Sequence, residues 1–260
     1  MRQTEERIGF IGGGRVTRIL AGGWRHAGVV PRELLVNEPD DAAFAKLTEL
    51  CPEARRVSAE EATAADVVFV ALHPPVLASA MPALRASLGA GAIVVSLAPK
   101  IALGALAEAL GTRRVARMIP NAPSIIGRGY NPVAFGDGLD ADARQALSAL
   151  FAPLGACPEV PEGDLEAYAI LTGMGPTYYW YQWQALREAG GQFGLSPERT
   201  DEALRHMLDG AQATLLRSGL SPAAVMDLIP VRPLQAIEDS VTAAYGTALP
   251  ALFAKIRPGR

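Results

Sequence analysis

The sequence is poor in the residues on which metal, disulfide and lysine chemistry depend. Its 260 residues include two cysteines, Cys51 and Cys157, in no metal-ligand spacing. That usage predicts a reduced cytoplasmic protein with no disulfide and no metal site. The three histidines, His26, His73 and His206, are scattered. Lysine is equally scarce: Lys46, Lys100 and Lys255 are all there are, so a mechanism that needs a lysine has few candidates. The net charge of −3 offers no electrostatic case for nucleic acid or an anionic membrane. No uninterrupted apolar run approaches the roughly 20 residues of a membrane span. The N-terminus lacks the basic and long apolar regions of a signal peptide. What remains is a protein whose partners are small molecules and copies of itself.

What is present begins with Arg7-Ile8-Gly9-Phe10-Ile11-Gly12-Gly13-Gly14-Arg15-Val16-Thr17. An apolar run meets three glycines and a helical segment follows at once. Gly12 permits a tight turn, and Gly14 lets a pyrophosphate approach bare backbone N–H groups at a helix N-terminus. The spacing Gly12-x-Gly14-x-x-Thr17 is a near-match to the dinucleotide fingerprint, with Thr where Gly or Ala is usual. Arg15 and Val16 complete the turn, and Arg15 can supply charge to phosphates.

Apolar runs then alternate with helical patterns, which predicts βαβ units and a parallel sheet. Strands are expected at Ile8–Ile11, Leu34–Val36, Asp66–Leu72, Ala92–Leu97, Val115–Met118, Asn131–Phe135 and Ala156–Val160. From Pro161 the pattern turns helical, with stretches at Asp164–Leu171, Thr177–Phe193, Pro197–Arg217, Pro222–Ile229 and Leu234–Ile256. The fold class is therefore α/β: a Rossmann-like doubly wound sheet over 1–160, followed by an all-helical domain over 161–260 that dimerises or closes the substrate site. Five aromatics fall within Tyr178–Trp183, which predicts a helix buried nearly all round in a dimer or domain core.

Several positions carry chemistry. Glu38 follows the second strand, where a carboxylate can accept hydrogen bonds from the adenosine ribose and repel a 2′-phosphate; it favours NAD while leaving NADP open. His73 and Pro74 end the Asp66–Leu72 strand and line the cofactor groove. In Met118-Ile119-Pro120-Asn121-Ala122-Pro123, two prolines frame one amide, which either faces a carboxamide or stabilises the turn. Thr172-Gly173-Met174-Gly175-Pro176-Thr177 joins two helices, with glycines that permit close backbone approach.

In order and spacing, Ile8–Val16, Asp66–Pro74, Val95–Ala98, Arg117–Pro123 and Thr172–Pro176 resemble the pyrroline-5-carboxylate reductases. The resemblance implies a Rossmann domain, a helical dimerisation domain forming a homodimer, and hydride transfer from NAD(P)H to a cyclic imine. It implies Asn121 and Pro123 beside the nicotinamide and Gly175-Pro176 near the substrate. Thr172, Thr177 and Tyr178 are then candidates for the catalytic proton. The chain departs from the family where a Ser-Pro-Gly-Gly-Thr-Thr segment is usual: Ile229-Pro230-Val231-Arg232-Pro233-Leu234 stands there, with Arg232 as a candidate carboxylate holder. Another departure replaces Ala-Gly by Pro99-Lys100. Related 3-hydroxy-acid reductases place a lysine on the long interdomain helix, and Thr177–Phe193 has none. The substrate is an imine or carbonyl compound, pyrroline-5-carboxylate or another; the alternative is a nucleotide-binding sensor or assembly protein without catalysis.

Overall fold

A computed structural model of the chain describes every residue except Met1, Thr4, His73 and 258–260, and leaves the side chains of Arg2, Gln3, Pro74 and Pro75 outside the description. Among the described residues, seven strands form the main sheet: β1 (Arg7–Ile11), β2 (Glu33–Asn37), β3 (Ala54–Arg56), β4 (Val67–Val70), β5 (Ile93–Ser96), β6 (Val115–Met118) and β7 (Val133–Phe135). Their order is β7-β6-β5-β4-β1-β2-β3, with β7 antiparallel to β6 and the rest parallel. The order reverses between β1 and β4, the switch point at which open parallel sheets bind nucleotides.

The helices between and after the strands are α1 (Arg15–His26), α2 (Asp41–Leu50), α3 (Ala59–Thr63), α4 (Pro74–Ser87), α5 (Leu103–Leu110), α6 (Ala141–Phe151) and α7 (Leu165–Tyr168). The strands read as continuous apolar runs because both faces are covered. With a side-chain period of two, Phe10 and Phe69 enter one core with Trp24 and Phe151, while Val68 and Val94 enter the other with Leu35 and Leu106. Phe10 and Phe69 are register partners whose rings stack at 4.8 Å. The Trp24 indole N–H donates to the Leu150 carbonyl at 2.8 Å, so the first core holds no unpaired indole.

Two expectations along the sheet need correction. Strand β3 and helix α3 (Ala59–Thr63) lacked an apolar run or sufficient length to be legible; β3 is an edge strand with Arg55 and Arg56 exposed. Ala156–Val160 joins the main sheet only by an isolated bridge, from Glu159 to Val133 of β7. Gly155–Ala156 pairs with Gly129–Tyr130, and Pro158 interrupts the run because it has no N–H to give.

The chain divides into two compact units, Met1–Met174 with Leu252–Arg260, and Gly175–Ala251. The second contains α8 (Trp180–Gln192), α9 (Pro197–Arg217), α10 (Pro222–Met226) and most of α11 (Gln235–Ile256). Ser196 and Ser221 cap α9 and α10 by accepting from the Arg199 and Ala224 N–H groups, each followed by proline at the first helical position. Helices α8 and α9 cross closely because Gly190 has no side chain: a Cβ there would lie 2.5 Å from Thr200 Cγ2. The aromatic stretch is not buried within one chain. Tyr179, Trp180, Tyr181 and Trp183 are all exposed, Tyr181 by 65%. Among the described residues, no helix is long and apolar enough to cross a membrane.

Candidate functional site

The glycine turn is built as a bare backbone surface. Gly12 has φ +101°, and a Cβ on it would meet the Ala71 carbonyl at 2.8 Å, so the turn is closed to any other residue. Its N–H donates to Asn37 O at 2.9 Å, tying the end of β1 to the end of β2. Gly14 is the N-cap of α1 (Arg15–His26), makes no side-chain cap, and has nothing within 4 Å of where a Cβ would be. The unusual Thr17 has a structural reason. It is fully buried, and its hydroxyl donates to the Gly12 carbonyl at 2.6 Å, locking the first helical turn onto the glycines.

The first turn of α1 carries no acid. Arg15 is exposed there, and the buried Nε of Arg18 has no hydrogen-bond partner. Cations at a helix N-terminus oppose its dipole, an arrangement that an anion resolves. A dinucleotide diphosphate fits this turn on three counts: open space at Gly14, two arginines, and an unpaired buried N–H. Val16, expected at the cofactor, packs its side chain against the core instead, leaving only its backbone for phosphate.

Glu38 stands directly after β2. One carboxylate oxygen accepts from Gly13 N at 2.8 Å and the other from Asp40 N at 2.9 Å. The carboxylate is thus held beside the glycine turn, with lone pairs to spare for sugar hydroxyls. Arg56 fixes the same loop by donating to the Glu38 and Pro39 carbonyls at 2.7 Å. His73 lies outside the described residues, as does the side chain of Pro74, whose backbone opens α4 (Pro74–Ser87).

Asn121 follows β6 and is 6% exposed. Its backbone N–H donates to Asn131 Oδ1 at 2.8 Å; its side-chain Nδ2 donates to the Thr172 carbonyl, and its Oδ1 accepts from Tyr130 N at 3.4 Å. Of the two readings of this amide, the structure shows the structural one in place, with one N–H and one lone pair left over. Pro123 lies half-buried in the 3-10 turn Ala122–Ile126. That turn seats on α1 because Gly23 has no side chain; a Cβ there would be 2.2 Å from Ser124 O.

Beneath this loop lies a brace that sequence reasoning missed. Arg117, on β6, is 1% exposed and pairs with Glu162 at 3.0 Å and with Glu166, also buried. Glu162 also accepts from Leu103 N at 2.6 Å, and Glu166 from Lys100 N at 3.4 Å. The signal was an arginine inside an otherwise apolar strand, which must find carboxylates when buried. Lys100 itself is the one described non-glycine residue with positive φ, at 77°.

The remaining predicted residues are used in ways the sequence did not show. The Thr172 hydroxyl donates to Tyr168 O at 2.9 Å, so its proton is committed within its own helical turn. Arg232 forms a two-point ion pair with Glu238, six residues on. In the second unit, Gly175, Pro176, Thr177 and Tyr178 form a 3-10 turn with Gly175 buried. The Tyr178 ring meets Tyr245 edge-on at 5.8 Å. Burial, with the neighbouring Tyr245 and Tyr179 phenols, pushes the Tyr178 hydroxyl above its usual range. It therefore stays protonated at neutral pH.

Known proteins share both halves of this architecture. Residues 7–100 match the family model described as NADP oxidoreductase coenzyme F420-dependent, and residues 162–254 match that of pyrroline-5-carboxylate reductase dimerisation. The pyrroline-5-carboxylate reductase of Pseudomonas aeruginosa is 29% identical over 220 residues, covering 84% of this chain and 81% of its own. That of Corynebacterium melassecola is 27% identical over 221 residues, 83% and 82% of the two chains. The crystal structure of Plasmodium falciparum pyrroline carboxylate reductase with NADP bound has the same fold, with a TM-score of 0.77, 20% identity and 97% of each chain covered.

Proposed function

We propose that this chain, similar to pyrroline-5-carboxylate reductases over most of its length, reduces the C=N bond of a cyclic imine carrying a carboxylate. It is an NAD(P)-dependent reductase. The observation that carries the reading is the glycine turn, whose open Gly14 and unpaired Arg18 Nε suit a dinucleotide diphosphate. When bound, the reduced nicotinamide supplies the hydride. The rest is position and electrostatics supplied by the chain.

Backbone N–H groups at Gly14, Arg15 and Val16 would hold the diphosphate with Arg15 and Arg18 beside them. Glu38, fixed by Gly13 and Asp40, would accept from the ribose and disfavour a 2′-phosphate, so we assign NADH as the preferred cofactor. Asn121 and Pro123 would border the nicotinamide, with His73 and Pro74 in the groove. Gly175 and Pro176 would approach the substrate. Thr172, Thr177 and Tyr178 would be the candidate donors to the imine nitrogen, and burial, which raises the Tyr178 pKa, keeps its hydroxyl protonated at neutral pH. The helical domain would form a homodimer through its exposed apolar residues.

The test is oxidation of NADH and NADPH with pyrroline-5-carboxylate, pyrroline-2-carboxylate and piperideine carboxylates. Turnover of at least one, faster with NADH, supports the reading, and Glu38→Ser then shifts preference toward NADPH. A second reading, a nucleotide sensor without catalysis, draws on the Ile229–Leu234 segment and its paired Arg232. Tight NADH binding with no turnover across the panel would establish that alternative.

A further inference from the structure

We propose that Lys100 binds the carboxylate of the imine substrate, an assignment that rests on the reading of the chain as a reductase of a carboxylated imine. The backbone provides the first reason. Lys100 sits at φ 77° directly after Pro99, at a turn position where glycine is the ordinary occupant. A Cβ there is strained, and strain of this kind collects at ligand sites. Glycine would serve the turn better, so the fold alone does not account for a lysine.

The second reason is the state of the side chain. Lys100 is exposed, and its ammonium makes no hydrogen bond or ion pair with any described residue. The acids closest to its backbone are already engaged: Glu166 and Glu162 both hold Arg117. Those contacts also make the base of the lysine rigid. Glu166 takes the Lys100 N–H, Glu162 takes the Leu103 N–H, and Pro99 fixes the preceding φ.

The third reason is position in the sheet. Lys100 follows β5 at its C-terminal edge, in the loop beside the one after β6 that carries Asn121. Glu38, after β2, marks the adenosine side of the switch point, so the reacting half of a dinucleotide extends over β4, β5 and β6. The diphosphate belongs to α1, above β1. Two strand spacings, roughly 10 Å, separate β1 from β5, so the diphosphate is not the anion that Lys100 serves. A carboxylate on the substrate is the anion left to hold, and Arg232 already has a partner in Glu238.

The experiment compares pyrroline-5-carboxylate with 1-pyrroline, which has the same imine and no carboxylate. In Lys100→Gly, KM for pyrroline-5-carboxylate should rise roughly 10- to 100-fold, the range of a lost charge-assisted hydrogen bond, with kcat nearly unchanged. Lys100→Arg should recover most of that loss. On 1-pyrroline, the wild type and Lys100→Gly should have the same kcat/KM. Lys100→Gly should melt no lower than the wild type, because glycine relieves the strain; this separates lost binding from lost folding. Equal losses on both imines, or an unchanged KM for the carboxylated one, overturn the Lys100 assignment alone. If pyrroline-5-carboxylate is not reduced, the same comparison is made with whichever carboxylated imine is; failure of the wild-type protein to reduce any carboxylated imine of the panel with either cofactor overturns the substrate reading, and the assignment with it.

Discussion

The two units of this chain solve the problem of burial in opposite ways. In the first, both faces of the sheet are covered, and Phe10, Trp24, Phe69 and Phe151 disappear completely into one contiguous core. In the second, the described residues that are buried are Gly175, Gly190 and Thr200, while Tyr181, Phe193, Leu216, Ile229 and Val231 stand more than half exposed. A unit with its own core carries its stability within itself. A helical unit with this much apolar surface in water has the character of an association surface, and the dimerisation family model matches this part of the chain.

Ion pairs break or sharpen that contrast most strongly. Arg117 and Arg187 each meet carboxylates, but Arg117 is 1% exposed in the first unit and the Arg187–Asp201 pair is 49% exposed on both sides in the second. Arg117→Met leaves Glu166 charged and buried, and should cost about 3–5 kcal/mol in urea unfolding. Arg187→Ala should cost less than about 1 kcal/mol. Equal costs would abolish the distinction between the units.

Alkaline titration should show the next largest effect. Burial, with Glu53 nearby, pushes the Cys51 thiol from its ordinary value near 9 up to about 11. The folded state therefore keeps a proton that the unfolded chain releases. The stabilisation is whole below pH 9 and is lost as pH rises toward about 11, by about 2–3 kcal/mol. Cys51→Ala should flatten that slope in unfolding curves taken across the window. The second unit contains no cysteine and should contribute nothing to it.

A smaller effect separates binding from folding inside the first unit. Gly14→Ala meets no atom within 4 Å, so melting should barely move. NADH affinity, read by fluorescence titration, should weaken about tenfold as the methyl group enters the space reserved for diphosphate. Gly12→Ala, by contrast, should destabilise the fold itself. Smallest of all, Leu216→Ser should change monomer stability by about 0.5 kcal/mol or less, since the side chain is 68% exposed. A larger loss in dilute protein would show that Leu216 is buried without a partner.

Much of the fold was readable because its signals are local. The glycine turn, the strand runs and the Ser-Pro helix starts each lie within a few residues of sequence. Strand β3 escaped because an exposed edge with two arginines needs no apolar pattern. At the site, the residue types pointed to the right chemistry while their commitments stayed hidden. Asn121 reads as a free amide until Thr172 is found on it, and Thr172 as a free hydroxyl until Tyr168 is. Arg232 reads as an anion holder until Glu238 takes it. Lys100 reads as an ordinary loop residue until its φ is known.

By itself, then, the sequence determined the α/β start, the helical end and the dinucleotide turn, because periodicity and glycine spacing act over short stretches of chain. Only the tertiary structure decided which polar groups remain open for chemistry. Arg117 reaches Glu162 across 45 residues and Asn121 reaches Thr172 across 51, and a buried donor takes whatever acceptor folding brings to it.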